Sequence, residues 1–306
     1  MRVTDSFRYR TVSRNLNSSR ERMTDLQEQL STGKRINRPS DDPVNISKSM
    51  KLRTVLESNF QFQDNISDAV TQLTVQEESL NQIHDILLEM KELVTAGASD
   101  SIVVKKSIAE QVEQMMQNML EVANTKFNGR YIFGGTETQN QPFVFNTNVI
   151  NFGVDGDVVD YYGDLGRVKR QVNETTQVDV NLNGMQVFNQ AGGEGIDLFQ
   201  MMYDTKEALL DDDTDGVRDK MEDVETALEQ TLNNFLKIGT RRQLVQFNED
   251  RYLTQNTQIR ATMSSLEDTD YGQAFVAFKA EENALNSALS AGARVVSPSL
   301  LDFIGV

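Results

Sequence analysis

The chain has 306 residues, 38% of them hydrophobic, and its 46 Asp and Glu outweigh 30 Lys and Arg for a net charge of −16. That acidity argues against a nucleic-acid surface, and the modest apolar content suits thin, elongated packing better than one compact globule. With no cysteine, disulfides, thiolate metal sites and cysteine nucleophiles are excluded. The single histidine, His84, falls beside Ile83 in a helical pattern and reads as an exposed helical residue.

Residues 1–38 hold nine Lys/Arg against four Asp/Glu, whereas 264–306 holds six acids against two bases. Opposite charge at the two ends predicts pairing with each other or with copies of themselves. Met1 leads into Arg2, Arg8, Arg10 and Arg14 with no apolar core behind them, so no signal peptide is expected. No apolar run is long enough for a membrane span either. A heptad seam through Val12, Leu16, Ser19, Met23, Leu26 and Leu30 ends at Gly33, with Pro39 beyond. Asp42 and Pro43 then fit the N-cap and first position of a second helix. Its seam is Ile66, Leu73, Leu80, Leu87 and Val94, joined by Ala69, Ile83 and Met90, and Gly97 is its stop. A third helix, about 101–126, carries Ile108, Val112, Met115, Met119 and Val122.

From Phe127 to Phe188 the helical period fades. Short β-rich runs replace it at Phe143–Phe145, Val149–Phe152, Val158–Tyr162, Val168–Val172 and Val178–Leu182, with turn signals at Asp155-Gly156, Gly163-Asp164 and Asn183-Gly184. A polar, Gly-rich linker at 189–195 leads back to helix at about 196–210.

Between Met221 and Leu266 runs an unbroken 3,4 ladder of two rows, which predicts a helix of roughly 70 Å seeking another helix. One row, Val224, Thr231, Ile238, Val245, Tyr252, Ile259 and Leu266, is nearly all apolar; the other turns polar at Arg242, Glu249 and Asn256. Three polar seam positions in succession predict a bundle rather than a symmetric two-stranded coiled coil, leaving them for register or subunit contacts. A polar break at Glu267–Asp270 precedes a last helix bearing Phe275, Phe278, Leu285, Leu289 and Val296, then Pro298 and an apolar tail with Leu300, Leu301 and Phe303.

The expected fold class is mainly α with an inserted β domain: an elongated helical bundle formed by the N- and C-terminal thirds, with a small lateral β domain. The divisions are 1–42, an N-terminal assembly segment that pairs with 267–306; 43–135 and 196–266, the two halves of the helical rod; and 136–195, the β projection. The assembly interface is expected at Val12, Leu16, Met23, Leu26, Leu30, Phe275, Phe278, Leu285, Leu289, Leu300, Leu301 and Phe303.

One motif has metal-binding spacing. Asp211, Asp213, Asp215, Gly216 and Glu222 fit the calcium loop D-x-D-x-D-G-x5-E between two helices. Arg218 at its eighth position and the lack of a second loop oppose that use. The bland reading is an acidic turn with Asp215 capping the long helix, and no metal or cofactor is expected. Nor is any catalytic constellation visible, so the chain does not read as an enzyme.

Three segments together resemble the flagellin superfamily, in the branch that forms the hook–filament junction. They are Leu30–Pro43 with its Pro39-Ser40-Asp41-Asp42-Pro43; Ala123-Asn124-Thr125 through Asn128-Gly129-Arg130-Tyr131-Ile132-Phe133-Gly134-Gly135-Thr136; and Gly292-Ala293-Arg294 with Ser297-Pro298-Ser299-Leu300-Leu301-Asp302-Phe303. The resemblance implies an extracellular structural part of the bacterial flagellum, exported through the flagellar type III channel. Implied partners are the hook-side junction protein, flagellin, further copies in a ring of about eleven subunits, and a cytoplasmic export chaperone at the C-terminal segment. Neither nucleic acid nor membrane is a partner. A short flagellin is the alternative within the family, and a calcium-responsive helical module the alternative outside it.

Overall fold

A computed structural model of the chain describes residues 2–98, 102–146, 158–188 and 195–296. The expected strand Val149–Phe152, the Asp155-Gly156 turn, nearly all of the 189–195 linker and the tail with Leu300, Leu301 and Phe303 lie outside these residues. The protein is mainly helical with a small β insertion. In chain order it has helices α1 (Arg2–Thr32), α2 (Pro43–Gly97) and α3 (Ile102–Ala123), strands β1 (Lys126–Phe127), β2 (Arg130–Tyr131), β3 (Phe143–Phe145), β4 (Val159–Tyr161), β5 (Lys169–Gln171) and β6 (Gln177–Asp179). Helices α4 (Gly184–Val187), α5 (Leu198–Leu210), α6 (Thr214–Glu267) and α7 (Tyr271–Val296) follow. Two compact units result, Met1–Ser58 with Thr254–Val306, and Asn59–Leu253.

Local chemistry sets the helix ends. Asp42 accepts the amide of Asn45 and so caps α2, and Asp197 accepts the amides of Phe199 and Gln200 to cap α5. Two turn readings are corrected. Asn183-Gly184 is not a hairpin turn: Asn183 caps α4, accepting from Gln186. The cap of α6 is Asp213, which accepts from the Gly216 amide, while Asp215 lies in the first turn and pairs with Arg218.

Within the Asn59–Leu253 unit, the expected seam of α2 is wholly buried from Ile66 to Val94. It runs antiparallel to α6: Phe62 stacks on Tyr252, Glu77 pairs with Arg242 at 2.6 Å, and Lys91 pairs with Glu225. On α6, Val224, Thr231, Ile238, Val245 and Tyr252 are buried. The second buried row, however, lies on the other flank. Ala227, Asn234 and Asn248 are buried and Arg241 half-buried, whereas Met221, Leu228, Phe235, Arg242 and Glu249 are only partly covered. The reason is the β insertion, which needs hydrogen-bond donors beneath it. Asn234 donates to the Gln186 carbonyl, Gln230 to that of Val187, and Arg241 to that of Asn181. Buried Gln76 of α2 does the same from the other side, donating to the Ile132 carbonyl and accepting the Leu182 amide.

The insertion consists of three two-stranded antiparallel sheets, β1–β2, β3–β4 and β5–β6. Pairs this small cannot stand alone, and rings supply their core. Phe188 meets Phe133 and Phe143 edge-on and stacks on Phe199 of α5. Tyr161 lies against Phe143, and burial pushes its phenol up to about 12. The hydroxyl stays protonated and reaches the carbonyls of Phe133 and Asp164. Gly135, with φ +72°, abuts Asp164, leaving no room for a side chain; Asp164 in turn binds the Thr136 amide and hydroxyl. This explains the Gly134-Gly135-Thr136 sequence at the entry to the β region.

Candidate assembly surface

The unit containing both ends is built on one antiparallel helix pair. Gly33 at the end of α1 touches Tyr271 at the start of α7, Arg22 pairs with Glu281 at 2.8 Å, and Gly292 packs against Val12 and Leu16. Val12, Leu16, Met23, Leu26, Leu30 and Phe278 are half-buried and Leu285 is buried. Phe275 and Leu289 are exposed, as are Phe7 and Val276. The first group faces the intramolecular pairing; the second leaves apolar surface uncovered.

The connectors leaving α1 and entering α7 are stapled together. The Arg35 amide donates to the Glu267 carbonyl at 2.6 Å and the Thr269 amide to that of Gly33 at 2.9 Å, a bridge centred on Lys34 and Asp268. Lys34 donates to Asp268 at 2.7 Å. That bond, with a second from Ser264, holds the Asp268 carboxyl below its usual range and the Lys34 ammonium above its own. Beneath them Glu267, 2% exposed, accepts from Arg53 at 2.8 Å on both oxygens, from Lys34 at 3.3 Å and from Ser49. Arg35 adds a bond to the Leu266 carbonyl. In the loop, Asp41 accepts the amides of Asn37 and Arg38, which lower its pKa, and Ile36 is buried.

The sequence reading took Glu267–Asp270 for a mere polar break and missed Glu267, Ser49 and Arg53. Nothing local signals them, because their partners lie more than 200 residues away along the chain.

Gly33 has φ +72°, and a Cβ there would meet the Tyr271 hydroxyl at 2.6 Å. Gly33→Ala is therefore expected to cost about 1–2 kcal/mol for the left-handed backbone before the tyrosine moves. Faster amide exchange at 20–32 and 271–285 is the expected readout. Unchanged exchange would count against the staple.

The acidic turn at 211–216 is organised differently from a calcium loop. Buried Lys105 donates to Asp212 at 2.6 Å and Thr214 at 2.7 Å, and Asp213 caps α6. Among the described residues, no cluster could hold a metal ion and no helix is long and apolar enough to cross a membrane. The four carboxylates Asp211, Asp213, Asp215 and Glu222 are thus spread over a cap and its flanks.

The profile of the bacterial flagellin N-terminal helical region matches residues 6–138, which span α1, the stapled loop, α2, α3 and the entry to the β region. Flagellar hook-associated protein 3 of Salmonella typhimurium is 26% identical over 94% of this chain and 95% of its own length. The chain is thus similar to the flagellin N-terminal region over residues 6–138 and to hook-associated protein 3 over nearly its whole length. The Escherichia coli protein of the same name is 24% identical over 95% of this chain and 96% of its own. Among solved structures, the flagellar junction protein FlgL from Legionella pneumophila superposes with a TM-score of 0.61 at 15% identity, covering 72% of this chain and all of that one. Bacillus cereus FlgL superposes at 0.59 with 21% identity, covering 70% and 99%. At such identity the structures speak for the fold.

Proposed function

We propose that this chain, a structural component of the bacterial flagellum, is the adaptor that joins the hook to the flagellin filament. The observation that carries this reading is end-to-end similarity to hook-associated protein 3, at 94–95% of this chain. A Clostridium tyrobutyricum flagellin, in contrast, aligns over 40% of this chain and 34% of its own length. A filament subunit is the second reading, since a Bacillus subtilis flagellin aligns over 78% of the chain at 22% identity.

In this mechanism the protein is a structural part rather than a catalyst. Segments 1–42 and 267–306 are the assembly region, 43–135 and 196–266 the rod, and 136–195 the projection. The apolar residues left uncovered on α7, Phe275 and Leu289, meet neighbouring subunits, while the half-buried row Val12, Leu16, Met23, Leu26 and Leu30 with Phe278 and Leu285 holds the helix pair together. Leu300, Leu301 and Phe303, outside the described residues, belong to the same assembly interface. Copies close into a ring of about eleven, with the hook-side junction protein on one face and flagellin on the other. Export through the type III channel precedes assembly outside the cell, and a cytoplasmic chaperone holds the C-terminal segment until then. Thin helix pairs order on binding because alone they bury little.

Deletion of the gene tests the reading. Cells lacking the adaptor keep hooks but shed flagellin monomers, and a labelled copy marks the distal tip of the hook. Label running along the filament would establish the flagellin reading instead.

A further inference from the structure

The chain contains two Asn-Gly pairs, Asn128-Gly129 and Asn183-Gly184. The fold treats them oppositely. Asn183 is 4% exposed, and its side-chain oxygen accepts the Gln186 amide as the cap of α4. The Gly184 amide donates to the Phe133 carbonyl at 2.8 Å, and a Cβ on Gly184 would strike the ring of Phe143. This pair is locked in place.

Asn128 and Gly129 form the tip of the β1–β2 hairpin, whose register pairs Lys126 with Tyr131 and Phe127 with Arg130. Their φ angles, +49° and +75°, are both left-handed, as a two-residue hairpin loop of this kind requires. Both residues are exposed, and nothing lies within 4 Å of the place a Gly129 Cβ would take. Among the described residues, neither the Asn128 side chain nor the Gly129 amide has a hydrogen-bond partner. From a left-handed Asn128, the Gly129 nitrogen must rotate towards the Asn128 side chain before the two can react. A ladder of two residue pairs is marginal, and hairpin tips open at little cost.

We infer that Asn128 is a site of spontaneous deamidation, from which the fold protects Asn183. The Gly129 amide nitrogen attacks Cγ of Asn128. A new N–C bond forms, the Cγ–Nδ2 bond breaks, the amide proton passes to the leaving nitrogen, and ammonia departs. Water then opens the five-membered imide. Cleavage on the Cγ side leaves aspartate, and cleavage on the main-chain side leaves isoaspartate, whose backbone is one atom longer. That atom does not fit a two-residue turn that keeps Phe127 opposite Arg130. Asn128 also lines a groove of about 400 Å³ with Asp68, Arg130 and Arg170, and the Arg170 Nε is buried there without a hydrogen-bond partner. A carboxylate at 128 adds an acceptor to a groove that holds an unsatisfied donor. The change needs only water and is independent of the junction role proposed above.

The full-length chain is held in warm, mildly alkaline buffer and sampled over time. Mass spectrometry of the peptides covering each Asn-Gly pair follows conversion of amide to acid, and enzymatic methylation scores isoaspartate. Conversion at Asn128 is expected to be at least about tenfold faster than at Asn183, a retardation that one buried hydrogen bond supplies. In urea the two rates should converge, because the local sequence is then the same Asn-Gly. A smaller difference in the folded chain overturns the assignment. So does an Asn128 that converts only in urea, since the closed hairpin would then hold the Gly129 nitrogen away. A difference that persists in urea also overturns it, because the fold would not be its cause.

Discussion

Phe188→Ala is expected to lower the unfolding free energy of the Asn59–Leu253 unit by about 3–5 kcal/mol. The ring is fully buried and touches Phe133, Phe143 and Phe199, so its loss leaves a cavity bounded by three other rings. Collapse there is difficult. Phe199 belongs to α5, which packs on α3, while Phe143 is held by the bonds of Asn124 to its backbone amide and carbonyl. Urea unfolding followed by helical circular dichroism gives the magnitude. A change below about 1 kcal/mol would mean that the β insertion is a separable appendage.

The same geometry predicts that deletion of the β region destabilises the helices beneath it. Deletion would strip the partners from buried Gln76, Gln230 and Asn234. Each buried amide left unsatisfied costs about 1–3 kcal/mol.

The second large effect is expected at the staple between the terminal segments. Arg53→Met should destabilise the unit of Met1–Ser58 with Thr254–Val306 by about 2–4 kcal/mol, more than Glu267→Gln. The asymmetry follows from exposure. Arg53 is 53% exposed and returns to water when its partner is removed, whereas Glu267 is 2% exposed and keeps a buried charge when Arg53 is removed. Lys34 at 3.3 Å and Ser49 offset only part of that loss. The double variant Arg53→Met with Glu267→Gln should cost less than the sum of the singles, because the orphaned charge has gone. Amide exchange at Gln29, Gly33 and Thr269 reads the local effect. Additive costs would show that the pair does not act as a unit.

Periodicity made the helices legible. The row Ile66, Leu73, Leu80, Leu87 and Val94 names the buried face of α2 because a single apolar face of a long helix must be covered. Strand positions at Phe143–Phe145 and near Val159 and Val178 were legible for the same reason, through alternation bounded by turn residues. The expected second row of α6 is covered in part, with Met221, Leu228 and Phe235 packed against the core and Arg242 on Glu77, since apolarity identifies a seam but not which further flank a folded insertion will cover. Asn234, Gln230 and Arg241 look like solvent positions in a ladder, and they became buried docking groups only when backbone carbonyls arrived above them.

The candidate surface divides along the same line. Heptad spacing picked out Val12 to Leu30, which the structure half-buries, because side-chain hydrophobicity is a local property that any partner must satisfy. Sequence alone thus determined where the helices run and the principal apolar face of each, through local periodicity, caps and glycine geometry. Tertiary structure decided what each face meets. It made Glu267 a buried anchor for Arg53 and Lys34 and left Phe275 and Leu289 uncovered on α7. Those outcomes depend on contacts between residues up to more than 200 positions apart, and no window of sequence contains both partners.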